Sequence, residues 1–257
     1  MSRWPIYFLA LSLVALPLVG QGAGGDFHLD EAPINLDNNA SLQRGAKLFV
    51  NYCQGCHSAE YQRYSRLADD LNLTADQVQD NLIFTTETNA QGQLEKSKLG
   101  THMVNAMTEE DGIQWFGNSP PDLTLIARSK GVDYLYTYLR TFYLDEDRPL
   151  GADNAVYPGV SMPHVLWELQ GWQKPIYHQD PEHPEEKTIE GFEIIQAGSM
   201  TGPEFDAAMA DLVGFLAYIA EPARAERESI GVWVLAFLAF AAVVFYFLKR
   251  EFWRDIH

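Results

Sequence analysis

Residues 53–57 read CQGCH, and they hold both cysteines of a 257-residue chain. The spacing C-x-x-C-H is the attachment signature of a c-type haem. Two thiols at i and i+3 leave one side of a helical turn, so each can add to a vinyl group of the same porphyrin. His57 then follows as the proximal iron ligand. Two other readings use the same residues: a C-x-x-C pair can be a redox dithiol, and a Cys/Cys/His cluster can open a zinc site. The first lacks a thioredoxin-like βαβ pattern around it. The second lacks the other cysteine or paired-histidine half.

Upstream, LQRGAKLFVNYC sets Ala46, Phe49, Val50 and Cys53 at helical spacing. The motif therefore ends an amphipathic helix, with Ser41 as its expected N-cap. A second helix is expected over Gly131–Tyr143. A third follows Gly202-Pro203, with Phe205, Met209, Leu212, Val213, Leu216 and Ile219 on one side. Between the last two lies a loop-rich stretch in which DPEHPEE, residues 180–186, reads as a solvated excursion. The expected fold is mainly α, with long loop insertions and no internal repeat.

Residues 1–23 read as a secretory leader: Arg3 is the only charge, Ile6 to Val19 is apolar, and Gly20, Gly22 and Ala23 are small. The stretch IGVWVLAFLAFAAVVFYFL, residues 230–248, is different in kind. It has no charge, and at 1.5 Å per residue it reaches about 28 Å, close to the hydrocarbon thickness of a bilayer. Lys249, Arg250 and Arg254 follow it, so residues 249–257 are expected in the cytoplasm and the head, residues 24–229, on the exported side. Haem is attached to C-x-x-C-H motifs outside the cytoplasm, so leader and motif agree.

The chain carries a net charge of −17. Removing Arg3 with the leader and Lys249, Arg250, Glu251, Arg254 and Asp255 with the tail leaves 14 basic and 33 acidic residues, or −19, on the head. That sign excludes nucleic acid as a partner. It favours long-range encounter with a basic protein, strongly dependent on salt.

Four stretches in order, RGAKLFVNYCQGCHSAEYQRYSRL, PPDLTLIARSKGVDYLYTYL, YPGVSMP and ADLVGFLAYIAEPARAERESIG, lead into the terminal span. Together they resemble the cytochrome c1 family, the haem subunits of cytochrome bc1 complexes. The resemblance implies a cytochrome c-like haem domain with one haem c bound through Cys53 and Cys56. It implies a subunit of a quinol:cytochrome c oxidoreductase in a bacterial inner membrane, with the haem domain in the periplasm. Cytochrome b and a Rieske iron-sulfur protein would be its neighbours in a dimeric complex. The subunit would be an electron-transfer protein, taking an electron from the Rieske cluster and passing it to a soluble or tethered cytochrome c. Two alternatives stay open: a free-standing membrane-anchored c-type cytochrome, and a membrane-tethered thiol oxidoreductase without haem.

The sixth iron ligand is sought among methionines, because Met/His ligation raises the potential. Met209 falls on an apolar helix face, and Met103 and Met107 are spaced i, i+4 as packing residues would be. Met162 lies in a Pro/Gly-punctuated loop before a proline, as the family's ligand does. Met200, just before the last helix of the head, is the rival, and His164 or His102 would give bis-histidine ligation. The resemblance further implies that the Pro121 carbonyl orients His57 and that Arg128 pairs with a haem propionate. A second family arginine near position 130 is replaced here by Lys130, and residues 171–190 exceed the length of many relatives.

Overall fold

The computed structural model describes residues 27–179 and 187–256. The expected leader, residues 1–23, and the excursion at 180–186 lie outside the described residues. Helix α1, Asn39–Leu48, opens on Asn38, whose side chain accepts from the Ser41 amide at 3.2 Å. The expected cap at Ser41 is thus corrected by three positions. Asparagine caps as well as serine does, and the Ser41 hydroxyl is engaged elsewhere, donating to Asp211 at 2.5 Å. The helix then widens into a π-turn, Phe49–Cys53.

Short elements follow the motif: β1 (Ala59–Arg63), α2 (Tyr64–Asp70), α3 (Ala75–Asn81), β2 (Thr86–Thr88), β3 (Leu94–Lys96), β4 (His102–Met103) and α4 (Glu109–Phe116). Next come α5 (Ile126–Lys130), α6 (Val132–Arg140), β5 (Phe142–Leu144), β6 (Ala152–Asn154) and α7 (Trp167–Gln170). The second expected helix ends at Arg140 rather than Tyr143, because Phe142–Leu144 pairs with Ala152–Asn154. Strands β7 (Gly171–Gln179) and β8 (Lys187–Ala197) form an antiparallel hairpin where loop had been expected. Helix α8, Gly202–Ala220, starts at a Thr201/Glu204 capping box with Pro203 in its first turn, as the sequence predicts. Mainly helical architecture with small two-stranded sheets results.

The core is the crossing of α1 and α8. Phe49 and Phe215, both fully buried, meet with ring centroids 5.6 Å apart. Gly45 allows the approach: a Cβ there would lie 2.1 Å from the Asp211 carbonyl oxygen. On the α6 side, Arg140 bridges Asp206 of α8 and Asp30 of the leading segment, each at 2.5 Å.

Helix α9, Arg224–Phe252, contains the expected span 230–248 as one continuous helix, about 43 Å long at 1.5 Å per residue. It is long and apolar enough to cross a membrane, and its apolar stretch is not buried against the head. Trp233, Tyr246 and Trp253 are exposed along it. A single-pass anchor fits it. Gly45→Ala forces α1 off α8, and overpacking of this kind costs about 1–3 kcal/mol; thermal unfolding of the purified protein should show a lower midpoint than the parent.

Candidate haem-binding site

The π-turn of α1 sets the motif in place. Such turns carry an extra residue within the helix and recur at functional sites. Here the Gln54 amide returns to the Phe49 carbonyl at 2.9 Å, and the amides of Cys56 and His57 both donate to the Cys53 carbonyl, at 3.1 and 2.9 Å. Cys53 is buried and Cys56 half-buried, and neither is in a disulfide. Burial pushes the Cys53 thiol up to about 12 and raises Cys56 as well. Reactive dithiols have depressed pKa values, so these protonated sulfurs do not suit thiol exchange. Among the described residues, no three His, Cys, Asp or Glu side chains gather as a metal-ion cluster, so the zinc reading has no donor set.

His57 Nδ1 donates to the Pro121 carbonyl at 2.8 Å. A carbonyl only accepts, so Nδ1 carries the proton and Nε2 keeps its lone pair for a metal. Burial holds the imidazole below its usual range, against smaller upward pulls from the Pro121 carbonyl and Asp122. The ring is therefore neutral at pH 7, as a ligand must be.

The Pro121 segment is pinned to the residues after the motif. The Leu123 amide donates to Ser58 O at 2.8 Å, and the Asp122 carboxylate accepts from the Glu60 amide at 2.8 Å. Asn105 completes the clamp: its side-chain amide donates to the Cys56 carbonyl, and its backbone N–H donates to Ser58 Oγ at 3.0 Å. Sequence reasoning weighed residues 102–107, HMVNAM, only for His102, Met103 and Met107. Asp122 lies within the PPDL stretch, though only Pro121 was singled out there, and Asn105 carries no motif that would have singled it out.

Cys53, Cys56, His57, Pro121 and Met162 all line one cavity of about 530 Å³, within the range of small-molecule and cofactor pockets. Its walls are largely apolar, with Leu123, Ile126, Leu135, Leu139, Leu212 and Leu216 among them. Met162 sits on a loop caged from below. Asp153 Oδ1 accepts from the amides of Gly159 and Val160 at 2.7 and 3.2 Å, and Asn154 Oδ1 accepts from those of Val156 and Tyr157 at 2.9 and 3.1 Å. The Tyr138 hydroxyl donates to Met162 Sδ at 3.4 Å.

The competing ligands lie elsewhere. Met200 lines a separate cleft of about 1000 Å³ beside β8 and the start of α8. Met103 and Met209 are fully buried in the core. His164 stacks on Phe142 with centroids 5.3 Å apart, its ring pushed by burial down to about 4. His102 bonds through Nδ1 to the Glu60 carbonyl, and neither histidine lines the haem-sized cavity.

Arg128 does not line the cavity, and its guanidinium pairs with Glu221 at 3.2 Å. Ile126 and Lys130, at i and i+4 on α5, face the cavity, so the residue midway between them points away. Lys130 is the cation on the wall, with Nζ 5.7 Å from the Tyr134 ring centroid. Two thiols, a neutral imidazole with a free Nε2, and a thioether on one apolar cavity fit a covalently held haem with two axial ligands.

Comparison with known proteins agrees with a haem cofactor. A family model described as Cytochrome C1 family matches residues 29–172 and 196–256. The chain belongs to the Cytochrome C1 family. It is 44% identical over 249 residues to cytochrome c1 of Allochromatium vinosum, covering 97% of this chain and 98% of that one. It is 41% identical over 252 residues to a Nitrosomonas europaea protein named ammonia monooxygenase gamma subunit, covering 98% and 99%. The mitochondrial cytochrome c1 heme protein of Neurospora crassa is 28% identical over 235 residues, 84% of this chain and 62% of that one. Covalently bound haem c goes with the family. Residues 173–195 lie outside the family match, and the described ones among them belong to β7 and β8. Asn105→Ala leaves the Cys56 carbonyl without its partner, so the haem-loaded protein should lose about 1–3 kcal/mol in chemical denaturation while its absorption spectrum is unchanged.

Proposed function

We propose that this chain is the cytochrome c1 subunit of a bacterial quinol:cytochrome c oxidoreductase, passing single electrons from a Rieske iron-sulfur protein to a cytochrome c. The observation that carries this is the convergence of Cys53, Cys56, His57 and Met162 on one cavity in a member of this family. Haem c bound there supplies a one-electron couple whose potential depends on its axial ligands and surroundings. Cys53 and Cys56 would hold it through thioether bonds to its vinyl groups. His57 offers Nε2, and the Pro121 carbonyl fixes that tautomer from the far side of the ring. Met162 offers a soft, neutral sulfur that favours the ferrous state. The apolar wall would keep water away from it. No side chain performs bond-making chemistry in turnover.

The head, residues 24–229, is exported by residues 1–23 and faces the periplasm, residues 230–248 cross the inner membrane, and residues 249–257 are cytoplasmic. Cytochrome b and the Rieske protein flank it in a dimeric complex. Its −19 charge attracts a basic face on the acceptor cytochrome, which is soluble or membrane-tethered.

Purification in detergent with subunit identification tests the assembly. Co-purification with cytochrome b and an iron-sulfur protein, and quinol-driven reduction of added cytochrome c, are expected; the second-order rate should fall steeply as salt shortens the Debye length to about 8 Å. Isolation with monooxygenase subunits instead would follow the name of the Nitrosomonas relative and sink the proposal.

Met162→Leu keeps the side-chain volume and removes the sulfur. It should lower the haem potential by on the order of 0.1 V and let carbon monoxide bind the reduced protein. Met200→Leu should do neither, and the reverse pattern would move the ligand to the other cleft.

A further inference from the structure

The hydrogen bond from Tyr138 to Met162 has no counterpart in the sequence reading. Tyr138 lies on α6, lines the cavity, and donates its hydroxyl to Met162 Sδ at 3.4 Å. Its ring is held on two sides, edge-on to Phe142 with centroids 5.1 Å apart and stacked on Tyr134 at 6.0 Å. Its own carbonyl accepts from Asn154 Nδ2 at 2.8 Å, and Asn154 also cages the Met162 loop. The phenol and the sulfur are therefore positioned by one scaffold, so the contact is built in on both sides.

A thioether is a weak acceptor, but its sulfur carries two lone pairs. One can go to a metal while the other takes the tyrosine proton. We propose that Tyr138 is a positioning residue that sets the donor strength of the Met162 sulfur toward the haem iron. The inference rests on Met162 being the axial ligand. An O–H pointing at the sulfur draws electron density away from it, and the oxidised iron needs that density more than the reduced iron does. Tyr138 accordingly favours the reduced state and loosens the oxidised-state bond between Met162 and the metal.

Tyr138→Phe removes the hydroxyl and keeps the ring against Phe142 and Tyr134. In the purified, haem-loaded full chain, with haem content checked as the pyridine haemochrome, the midpoint potential should fall. The oxidised protein's affinity for added imidazole, which competes with the sulfur, should drop about two- to tenfold, the worth of one modest hydrogen bond. Adding Tyr138→Phe to Met162→Leu should shift the potential no further than Met162→Leu alone, because the path through sulfur is gone. A parental potential and imidazole affinity in Tyr138→Phe, beside a lowered potential in Met162→Leu, overturns this inference and leaves the ligand reading standing. A shift that persists undiminished in the double variant also overturns it, since the tyrosine would then act by another route. Unchanged potential and continued exclusion of carbon monoxide in Met162→Leu overturns the ligand reading and this inference with it.

Discussion

The close approach of α1 to α8 at Gly45 is the constraint on which the haem site depends. The C-terminal end of α1 is the π-turn that carries Cys53, so the seating of α1 fixes where the thiols and His57 emerge. On the other side of the contact, α8 supplies Leu212 and Leu216 to the cavity wall. One helix crossing thus sets both the attachment point and part of the surface that the ring would rest on. Asp211 anchors the crossing twice, through the Ser41 hydroxyl at 2.5 Å and a two-point contact with Arg44 at 2.5 and 2.9 Å. Arg44 is largely exposed, so its ion pair adds little stability by itself. The buried Ser41 bond and the absence of a side chain at position 45 hold the register.

The two axial candidates are held by different means. His57 is fixed by backbone groups distant in sequence: the Pro121 carbonyl, with Asp122, Leu123 and Asn105 tying that segment to residues 56–60. Met162 belongs to a loop whose amides are gathered by two side chains, Asp153 and Asn154. Both are fixed by hydrogen bonds, and the Met162 sulfur takes the Tyr138 hydroxyl in addition.

Much of this was legible in the sequence where a pattern is local. CQGCH, the apolar face of residues 205–219 and the uncharged run 230–248 each carry their reading in spacing alone, and each occupies the expected element. The β7–β8 hairpin was not legible. Pro175 breaks its strand signal, and register shifts near Trp172 and Ile176 break the alternation that marks a strand. The direction of Arg128 depends on the phase of the five-residue helix α5, which composition does not set. Tyr138 and Asn105 act across 24 and 49 positions, through contacts that only the folded chain brings together.

Where Arg128 does point bears on how the head meets its anchor. Only Glu221, Pro222 and Ala223 separate α8 from α9, and Pro222 prevents the two from running on as one helix. Glu221 accepts from Arg227 at 2.5 Å and pairs with Arg128 at 3.2 Å, and these cations hold its carboxyl below the usual range, Arg227 foremost. Both arginines are largely exposed, so each pair contributes little stability. Their effect is directional: one carboxylate joins the first turns of the membrane helix to α5, the helix that follows the Pro121 segment. Arg128 and Glu221 thus tie the His57 side of the site to the start of the anchor.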